Sequence, residues 1–374
     1  MHDPALQSLI TTVRDAAAAR TPLCIRGGGS RSFYGQPVQG TRLDTRALTG
    51  LVAHEPTELV VTVRAGTPLA ELEAALAAHG QCLPFEPPRF AGGDLAGGTV
   101  GGMVACGLSG PARATAGAVR DYVLGLSLVN GRGEWLRFGG QVMKNVAGYD
   151  VSRLMAGALG TLGVIVDVSL KVLPVAPAEA TLRFELDQAA ALARLAAWGA
   201  RALPLNASCW VEDAGVGTLY LRLRGAGAAV AAACRELGGE RLAPAQAAAD
   251  WTACRDQQLP WFTARDAGHA LWRLSVPQTA PVLALPPGVA PPLVEWHGGQ
   301  RWVQAPAAQG AALREAAARA GGSATLFIAP DDQRALAVPR FDALPPPLDA
   351  LHRRLKAAFD PQGILNPGRL YPGL

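Results

Sequence analysis

Three glycine-rich segments restrict the folds open to this chain more than any other feature of its sequence. The segments span residues 27–30, 97–105 and 157–165, and each combines glycine with small residues near a short apolar run. Glycine reaches positive φ without penalty and lets a backbone approach another group with no side chain between them. We therefore expect tight loops here, with backbone N–H groups that can face a ligand.

Such amides suit the pyrophosphate of a dinucleotide, which needs several N–H donors at close range. The apolar run 23–25 precedes the first segment, as expected for a strand that ends in a loop. The sequence contains no G-x-G-x-x-G, which disfavours a Rossmann domain, and no Gly-Lys-Ser/Thr, which excludes a P-loop. Each segment alone also fits an ordinary loop, a packing interface of small residues or a simple turn. The three together, in this order and spacing, are much less readily explained as accidental, and any phosphate that they bind is held without either of those two motifs.

Composition and charge narrow the function classes further. The 374 residues allow two domains, and 49% hydrophobic with 17% charged residues argues against disorder. The net charge of +4 comes from scattered arginines without a basic stripe, so nucleic-acid binding is disfavoured. The six cysteines form no Cys-x-x-Cys pair or close cluster, which excludes an ordinary iron–sulfur or zinc framework within this chain. We therefore expect no metal site.

Nothing in the sequence resembles a targeting or membrane-spanning segment. The N-terminal residues lack the basic start and apolar stretch of a secretory signal. The most apolar run, 154–166, is too short and too rich in glycine to cross a bilayer. We expect a cytoplasmic protein, associated with a membrane only through partner subunits, if at all.

Patterning over the first 175 residues predicts alternating helices and strands. Asp3 as N-cap and Pro4 at the first helical position begin a helix over 4–19. A second helix starts at Thr67 and Pro68 and ends before Gly80. The other expected elements are strands over 23–25, 59–63 and 163–173 and a hairpin of 123–129 with 135–138. The segment 92–110 is so rich in glycine that we expect no packed helix or strand within it.

Pro174 and Pro177 mark a domain boundary, after which the pattern changes. The elements expected beyond it are strands over 181–186, 207–212, 218–224, 271–276, 293–296 and 324–328 and helices over 188–202, 226–237 and 307–320. The proline-rich stretch 281–292 predicts a surface loop. This order resembles an α+β cap, and the fold class expected for the whole chain is α+β.

Further motifs accompany the glycine segments. They are Ile-Arg-Gly-Gly-Gly-Ser at 25–30, Arg-Ala-Gly-Thr at 64–67, Gly-Thr-Val-Gly-Gly at 98–102, Gly-Pro at 110–111, Val-Arg-Asp-Tyr-Val-Leu-Gly at 119–125, Val-Met-Lys-Asn-Val-Ala-Gly-Tyr-Asp at 142–150, the segment 157–171, and Phe-Asp-Pro-Gln-Gly-Ile-Leu-Asn-Pro-Gly-Arg at 359–369. With them the chain resembles the FAD-binding domain of the vanillyl-alcohol oxidase superfamily, also called the PCMH-type FAD-binding domain. Within it, the motifs are similar to those of the smaller flavin-binding (E) subunits of bacterial glycolate oxidases, or glycolate dehydrogenases. The resemblance is strong over 1–175 and 355–372 and vague between them.

The resemblance implies a fold and a cofactor. Residues 1–175 would form the PCMH-type FAD-binding domain of two α/β subdomains, residues 176–340 an α+β cap domain, and residues 341–374 a C-terminal segment that returns to the FAD domain. Several relatives tether the flavin through a histidine in the first loop, which here reads Arg-Gly-Gly-Gly-Ser-Arg-Ser. FAD is therefore expected to be noncovalent.

The same resemblance assigns cofactor-binding roles by position. The residues concerned are Arg26, Gly27, Gly28, Gly29, Ser30, Gly98, Thr99, Gly101, Gly102, Gly110, Gly117, Gly163, Val164, Ile165 and Asn366. The first loop would wrap the pyrophosphate, the second would line the pyrophosphate and ribityl chain, and Val164 and Ile165 would meet the adenine side. Asn366 would lie near the isoalloxazine, although Asn-Pro-Gly is also an ordinary surface turn. Lys144 would either face the flavin or be solvated.

The function implied is oxidation of glycolate, a 2-hydroxy acid, to glyoxylate. The chain would work with a larger flavin subunit and an iron–sulfur subunit that receives the electrons. Three alternatives stay open: a stand-alone FAD-dependent 2-hydroxy acid dehydrogenase, a non-catalytic FAD-binding or assembly subunit, and a nicotinamide-dependent reductase that shares the FAD domain.

Oxidation of a 2-hydroxy acid needs a cation for the carboxylate and a base for the hydroxyl proton. In the cap, Arg273 alternates with apolar residues on an expected strand and is the candidate carboxylate clamp. His297 is the candidate base. The residues by themselves favour a structural role for both, or a contact with a partner subunit, over a catalytic role.

Overall fold

The computed structural model describes residues 3–140, 149–213, 215–330 and 338–374. The motif residues 142–148, with Lys144 among them, lie outside these ranges. Contacts divide the chain into two compact units. Unit 1 comprises 1–108, 118–174 and 343–374, and unit 2 comprises 109–117 and 175–342. The segment 109–117, expected within the FAD domain, thus groups with unit 2.

Helices and strands are distributed over both units. The helices are α1 (Pro4–Ala19), α2 (Leu69–Ala77), α3 (Val100–Cys106), α4 (Arg113–Ala116), α5 (Val119–Tyr122), α6 (Val151–Leu154), α7 (Gln188–Gly199), α8 (Gly227–Leu237), α9 (Pro244–Arg255), α10 (Pro260–Thr263), α11 (Gly310–Arg319) and α12 (Pro346–Phe359). The strands are β1 (Leu23–Arg26), β2 (Thr41–Asp44), β3 (Leu51–Glu55), β4 (Val60–Arg64), β5 (Gln81–Cys82), β6 (Val123–Val129), β7 (Trp135–Gly139), β8 (Val164–Lys171), β9 (Leu173–Pro174), β10 (Ala178–Glu185), β11 (Leu205–Asp213), β12 (Val216–Gly225), β13 (Glu240–Arg241), β14 (Ala270–Ser275), β15 (Leu293–Glu295), β16 (Gln300–Ala305) and β17 (Ser323–Ile328). The expected α+β class is confirmed.

Unit 1 is built on a five-stranded antiparallel sheet in the order β3-β4-β8-β6-β7. The expected hairpin is confirmed, because β6 pairs with β7 and Val129 lies opposite Trp135. Asp3 caps α1 as expected, since its carboxylate accepts hydrogen bonds from the amides of Ala5 and Leu6. Apolar side chains of α2, α3 and the sheet form one buried core.

The expectation that 92–110 holds no packed helix is wrong. Helix α3 begins after Thr99, whose hydroxyl accepts a hydrogen bond from the amide of Gly102 at 3.3 Å. Its Met103 and Val104 are buried in the core. A Cβ on Gly101 would lie 2.7 Å from the Cβ of Ala65, so the missing side chain lets this helix pack closely. Glycine is used here for close packing of a helix and not for flexibility.

The C-terminal segment joins the first strand of unit 1. The amide of Leu23 donates to the carbonyl of Ile364 at 2.7 Å, and the amide of Asn366 donates to the carbonyl of Leu23 at 3.0 Å. Buried Lys356 on α12 donates to the carboxylate of Asp360, also buried, at 2.7 Å. These bonds fix the last turn of the chain beside the first glycine loop.

Unit 2 is built on an eight-stranded sheet in the order β13-β10-β12-β11-β15-β16-β14-β17. Helices α7 and α8 pack on its first half and α11 on its second half through alternate apolar residues of the strands. The pattern of the sequence missed α9 and β16. No helix within the described ranges combines the length and the apolar composition that crossing a bilayer requires.

Candidate flavin-binding site

The three glycine segments and the C-terminal turn meet at one cavity of unit 1, with a volume of about 320 Å³. Of the residues with an expected cofactor contact, those that line it are Arg26, Gly27, Gly28, Gly29, Ser30, Gly98, Thr99, Gly101, Gly102, Gly163, Val164, Ile165 and Asn366. Gly110 and Gly117 belong to unit 2 and do not line it. Sequence positions far apart along the chain are therefore brought together as the resemblance implies.

The first glycine loop presents backbone N–H groups at this cavity. Within the described ranges, the amides of Gly28, Gly29 and Ser30 donate no hydrogen bond to the protein. Their carbonyls are used instead: that of Gly28 accepts from Asp94 at 2.8 Å, and that of Gly29 accepts from Ser32 at 3.1 Å. Successive amides without acceptors form a concave donor site for an anion such as a phosphate.

Side chains are excluded where the first two glycine segments touch. A Cβ on Gly27 would lie 2.4 Å from Oγ1 of Thr99, and one on Gly28 would lie 2.9 Å from Cα of Gly98. A Cβ on Gly98 would lie 2.5 Å from both Oγ of Ser30 and Nη1 of Arg31. The two loops thus form a single cradle, which any larger residue would fill.

Guanidinium groups give the cavity wall a positive charge. Arg31 is buried and donates to the carbonyl of Pro88 at 2.5 Å, and Arg369 donates to the carbonyl of Tyr34 at 3.0 Å. Burial raises the pKa of the Cys106 thiol on the same wall, so this thiol is neutral at pH 7. The sequence analysis did not single out Arg31 or Arg369 as cavity residues. Arg31 directly follows the motif at 25–30 and Arg369 ends the motif at 359–369, and both motifs carry the resemblance.

Asn366 links three parts of the wall. Its Oδ1 accepts from the amide of Ile25 at 2.8 Å, and its Nδ2 donates to the carbonyl of Leu159 at 2.7 Å. Its φ of 41° lies in the left-handed region, which Asn tolerates better than most residues. The side chain therefore holds β1, the 157–165 turn and the C-terminal segment together at the cavity.

The two candidate catalytic residues lie in unit 2, where each has its own partners. Arg273 on β14 places its guanidinium 5.6 Å from the centre of the Phe327 ring. His297, with a left-handed φ of 54°, accepts or donates a 3.1 Å hydrogen bond between Nδ1 and Oγ of Ser208. The catalytic assignment of both residues stays a prediction.

Glu295 is a buried acid that the sequence pattern did not single out. Its carboxylate accepts hydrogen bonds from Gln300 at 2.9 Å, from the indole of Trp302 at 2.5 Å and from the thiol of Cys254 at 3.3 Å. The feature of the sequence that could have pointed to Glu295 is an acidic residue within an otherwise apolar strand. These neutral donors satisfy the hydrogen-bonding capacity of the buried Glu295 carboxylate within unit 2.

The pH dependence of stability tests the burial of His297. Burial lowers the pKa of this imidazole to about 4 from its usual 6.5, so folding favours the neutral form and unfolding favours protonation below pH 6.5. Stability is therefore lost as the pH falls from 6.5 towards 4. Between pH 7 and pH 5 we expect the wild type to lose about 2 kcal/mol more than His297→Gln in urea unfolding. A His269→Gln variant controls for removing an imidazole elsewhere in unit 2, and equal losses in wild type and His297→Gln would contradict the prediction.

Among the described residues, the cavity lining contains no histidine. Acid denaturation of the purified yellow chain should therefore release all of its flavin into the supernatant after centrifugation. The measurement is the visible absorbance of supernatant and pellet. Flavin absorbance that stays with the precipitated protein would show a covalent bond between flavin and protein and would overturn the prediction of noncovalent FAD.

Comparison with known proteins places these observations in a family. The FAD binding domain family model matches residues 6–139, and the model for the C-terminal domain of FAD linked oxidases matches residues 344–370. The chain is 44% identical over 368 residues to the glycolate oxidase subunit GlcE of Escherichia coli K12, with 98% of each chain covered. Together with the cradle of free amides, these matches identify FAD as the cofactor.

More distant relatives share only part of the chain. The glycolate oxidase subunit GlcD of Bacillus subtilis is 30% identical over 165 residues, which cover 44% of this chain and 34% of that protein. The D-lactate dehydrogenase of Archaeoglobus fulgidus is 33% identical over 155 residues, which cover 41% of this chain and 33% of that protein. In fold, the chain is similar to p-cresol methylhydroxylase with substrate bound, with a TM-score of 0.72, 16% identity, and 98% and 87% of the two chains covered. The chain belongs to the family of FAD-linked oxidase proteins that includes the glycolate oxidase subunit GlcE.

Proposed function

We propose that the chain is the FAD-binding subunit of a cytoplasmic glycolate oxidase complex, which oxidises glycolate to glyoxylate. Its partners are a larger flavin subunit and an iron–sulfur subunit that receives the electrons. The observation that carries the proposal is the 44% identity to GlcE along 98% of both chains. Such end-to-end similarity includes the cap and the C-terminal segment as well as the FAD domain.

In this role the cavity of unit 1 holds the cofactor. FAD supplies an acceptor for the two electrons that glycolate loses. The amides of 28–30 would hold the pyrophosphate, and Arg31 and Arg369 on the same cavity wall would balance its charge. Asn366 keeps the C-terminal turn against the cavity through its two side-chain hydrogen bonds.

Glycolate oxidation also needs a carboxylate clamp and a base, for which Arg273 and His297 are this chain's candidates. His297 is neutral at pH 7, as a base has to be, and its Nε2 is buried without a hydrogen-bond partner in the part of the chain that the structure describes. Ser208 fixes Nδ1 and so orients the ring. The same contacts also serve the fold of unit 2, in which case the larger flavin subunit supplies the catalytic groups.

Co-expression tests the proposal. The complex assembled from the three subunits should reduce an artificial electron acceptor when glycolate is added, and omission of this chain should abolish that reduction. A two-subunit complex that oxidises glycolate at the full rate without this chain would contradict the proposal.

A second candidate is a stand-alone dehydrogenase, which the partial identity to D-lactate dehydrogenases favours. Anaerobic titration of the isolated chain with glycolate or D-lactate distinguishes the two. Complete bleaching of the flavin by either acid at catalytic rates would favour the stand-alone enzyme. An unchanged spectrum is expected if the chain acts only within the complex.

A further inference from the structure

Helix α12 leaves half of its apolar side uncovered. Leu355 and Phe359, near its C-terminal end, pack against the core of unit 1. Leu351 and Leu348, one and two turns before Leu355 on the same face, are 43% and 46% exposed. Exposed apolar side chains that are contiguous with further apolar surface are typical of an interaction site.

A concave pocket continues this apolar row. It has a volume of about 270 Å³, and its walls include Leu154, Leu355, Leu370 and the ring of Tyr371. The His352 ring packs edge-on against Tyr371, with ring centres 5.6 Å apart. We name the exposed Leu348 and Leu351 together with this pocket the α12 patch.

Positive charge borders the α12 patch. Arg120 lines the pocket and Arg354 lies one turn from Leu351 on α12, and both are exposed. Neither forms an ion pair within the residues that the structure covers, whereas Arg153 pairs with Asp150 and Arg353 pairs with Asp349. An apolar pocket beside two arginines that have no carboxylate partner is complementary to a binding partner whose surface carries both apolar and acidic side chains.

We propose that the α12 patch is the docking site for a partner polypeptide that inserts an apolar side chain into the pocket and places carboxylates against Arg120 and Arg354. A protein fits better than a membrane because the pocket beside the two leucines is concave, and such a pocket accepts a protruding side chain but not a flat lipid surface. The identification of that partner as the larger flavin subunit or the iron–sulfur subunit rests on the proposed function.

Two double variants test the α12 patch. Leu348→Asp with Leu351→Asp removes the apolar contact, and Arg120→Glu with Arg354→Glu reverses the charges. Each should weaken binding of the purified chain to one of the two partner subunits by at least about tenfold, the loss typical of an interface anchor. The binding constants are measured by titration with each purified partner subunit at low and high salt, and the effect of the charge variant should shrink at high salt.

A matched control introduces aspartate at Val216 and Val282, two valines of unit 2 that are each 45% exposed. All variants change exposed side chains, so flavin content and thermal midpoint should stay at wild-type values, and these are measured first. Unchanged partner affinity in both patch variants, with wild-type binding intact, would overturn the α12 patch and leave the proposed function standing. A wild-type chain that binds neither subunit would overturn both. Binding to vesicles of anionic phosphatidylglycerol is measured as well. If the leucine variant loses vesicle binding but keeps its affinity for the partner subunits, the patch binds a membrane and the proposal is overturned.

Discussion

Replacing Gly98 by valine is expected to give a folded but colourless chain. Gly98 has a φ of 78°, where a β-branched residue is strained, and its Cβ would lie 2.5 Å from Ser30 and Arg31. Relief of that clash has to displace the buried side chains of Ser30 and Arg31, which line the cavity beside the amides of 28–30. We expect FAD affinity to fall at least about a hundredfold, or about 3 kcal/mol.

Gly92→Val in the same loop is the matched control. A Cβ at Gly92 meets no atom within 4 Å, and its φ is not in the left-handed region. The control should bind FAD like the wild type in a titration followed by flavin fluorescence. Wild-type affinity in Gly98→Val, with circular dichroism unchanged, would contradict the role given to the cradle.

Replacing Lys356 by methionine should be among the most destabilising single changes in unit 1. The Lys356 ammonium donates to the carbonyls of Thr161 and Leu365, each at 2.8 Å, and to the carboxylate of Asp360 at 2.7 Å. Asp360 is 1% exposed, so the variant leaves a buried carboxylate without its cation. Breaking a buried pair on one side costs about 3–5 kcal/mol, which urea unfolding would measure.

Two comparisons separate this cause from simple loss of a lysine. Arg353→Met breaks the exposed Arg353–Asp349 pair on the same helix and should cost less than about 1 kcal/mol. Lys356→Met combined with Asp360→Asn should recover part of the loss, because the buried negative charge is then gone. A Lys356→Met protein as stable as Arg353→Met would refute the account of this cluster.

The sequence predicted the parts of the site that depend on local chain geometry. Helix α1, the β6–β7 hairpin and the loop after β1 follow from caps, turns and alternation, and the structure confirms them. The resemblance, and not periodicity, implied that the segments converge on one ligand. Rules for local structure, such as capping and alternation, do not predict which loops lie close together in the fold.

Long-range packing explains what the sequence did not predict. The helix α3 was missed because Gly101 looks like a helix breaker until Ala65 is known to lie against it. Asn366 was expected near the isoalloxazine as part of an Asn-Pro-Gly turn. That position stays a prediction, but the side-chain hydrogen bonds of Asn366 to Ile25 and Leu159, which are remote in sequence, were not predicted. Arg31 and Arg369 became visible as cavity residues only once the loops were placed together.

The most direct test of the account is an anaerobic titration of the co-expressed complex with glycolate, followed by flavin absorbance. Complexes that contain the wild-type chain are compared with complexes that contain Gly98→Val. If the FAD of this chain accepts electrons from glycolate, directly or through its partner, the wild-type complex bleaches more flavin per complex than the variant. Equal bleaching in the two, with FAD present in the wild-type chain, would show that this cofactor takes no part in glycolate oxidation.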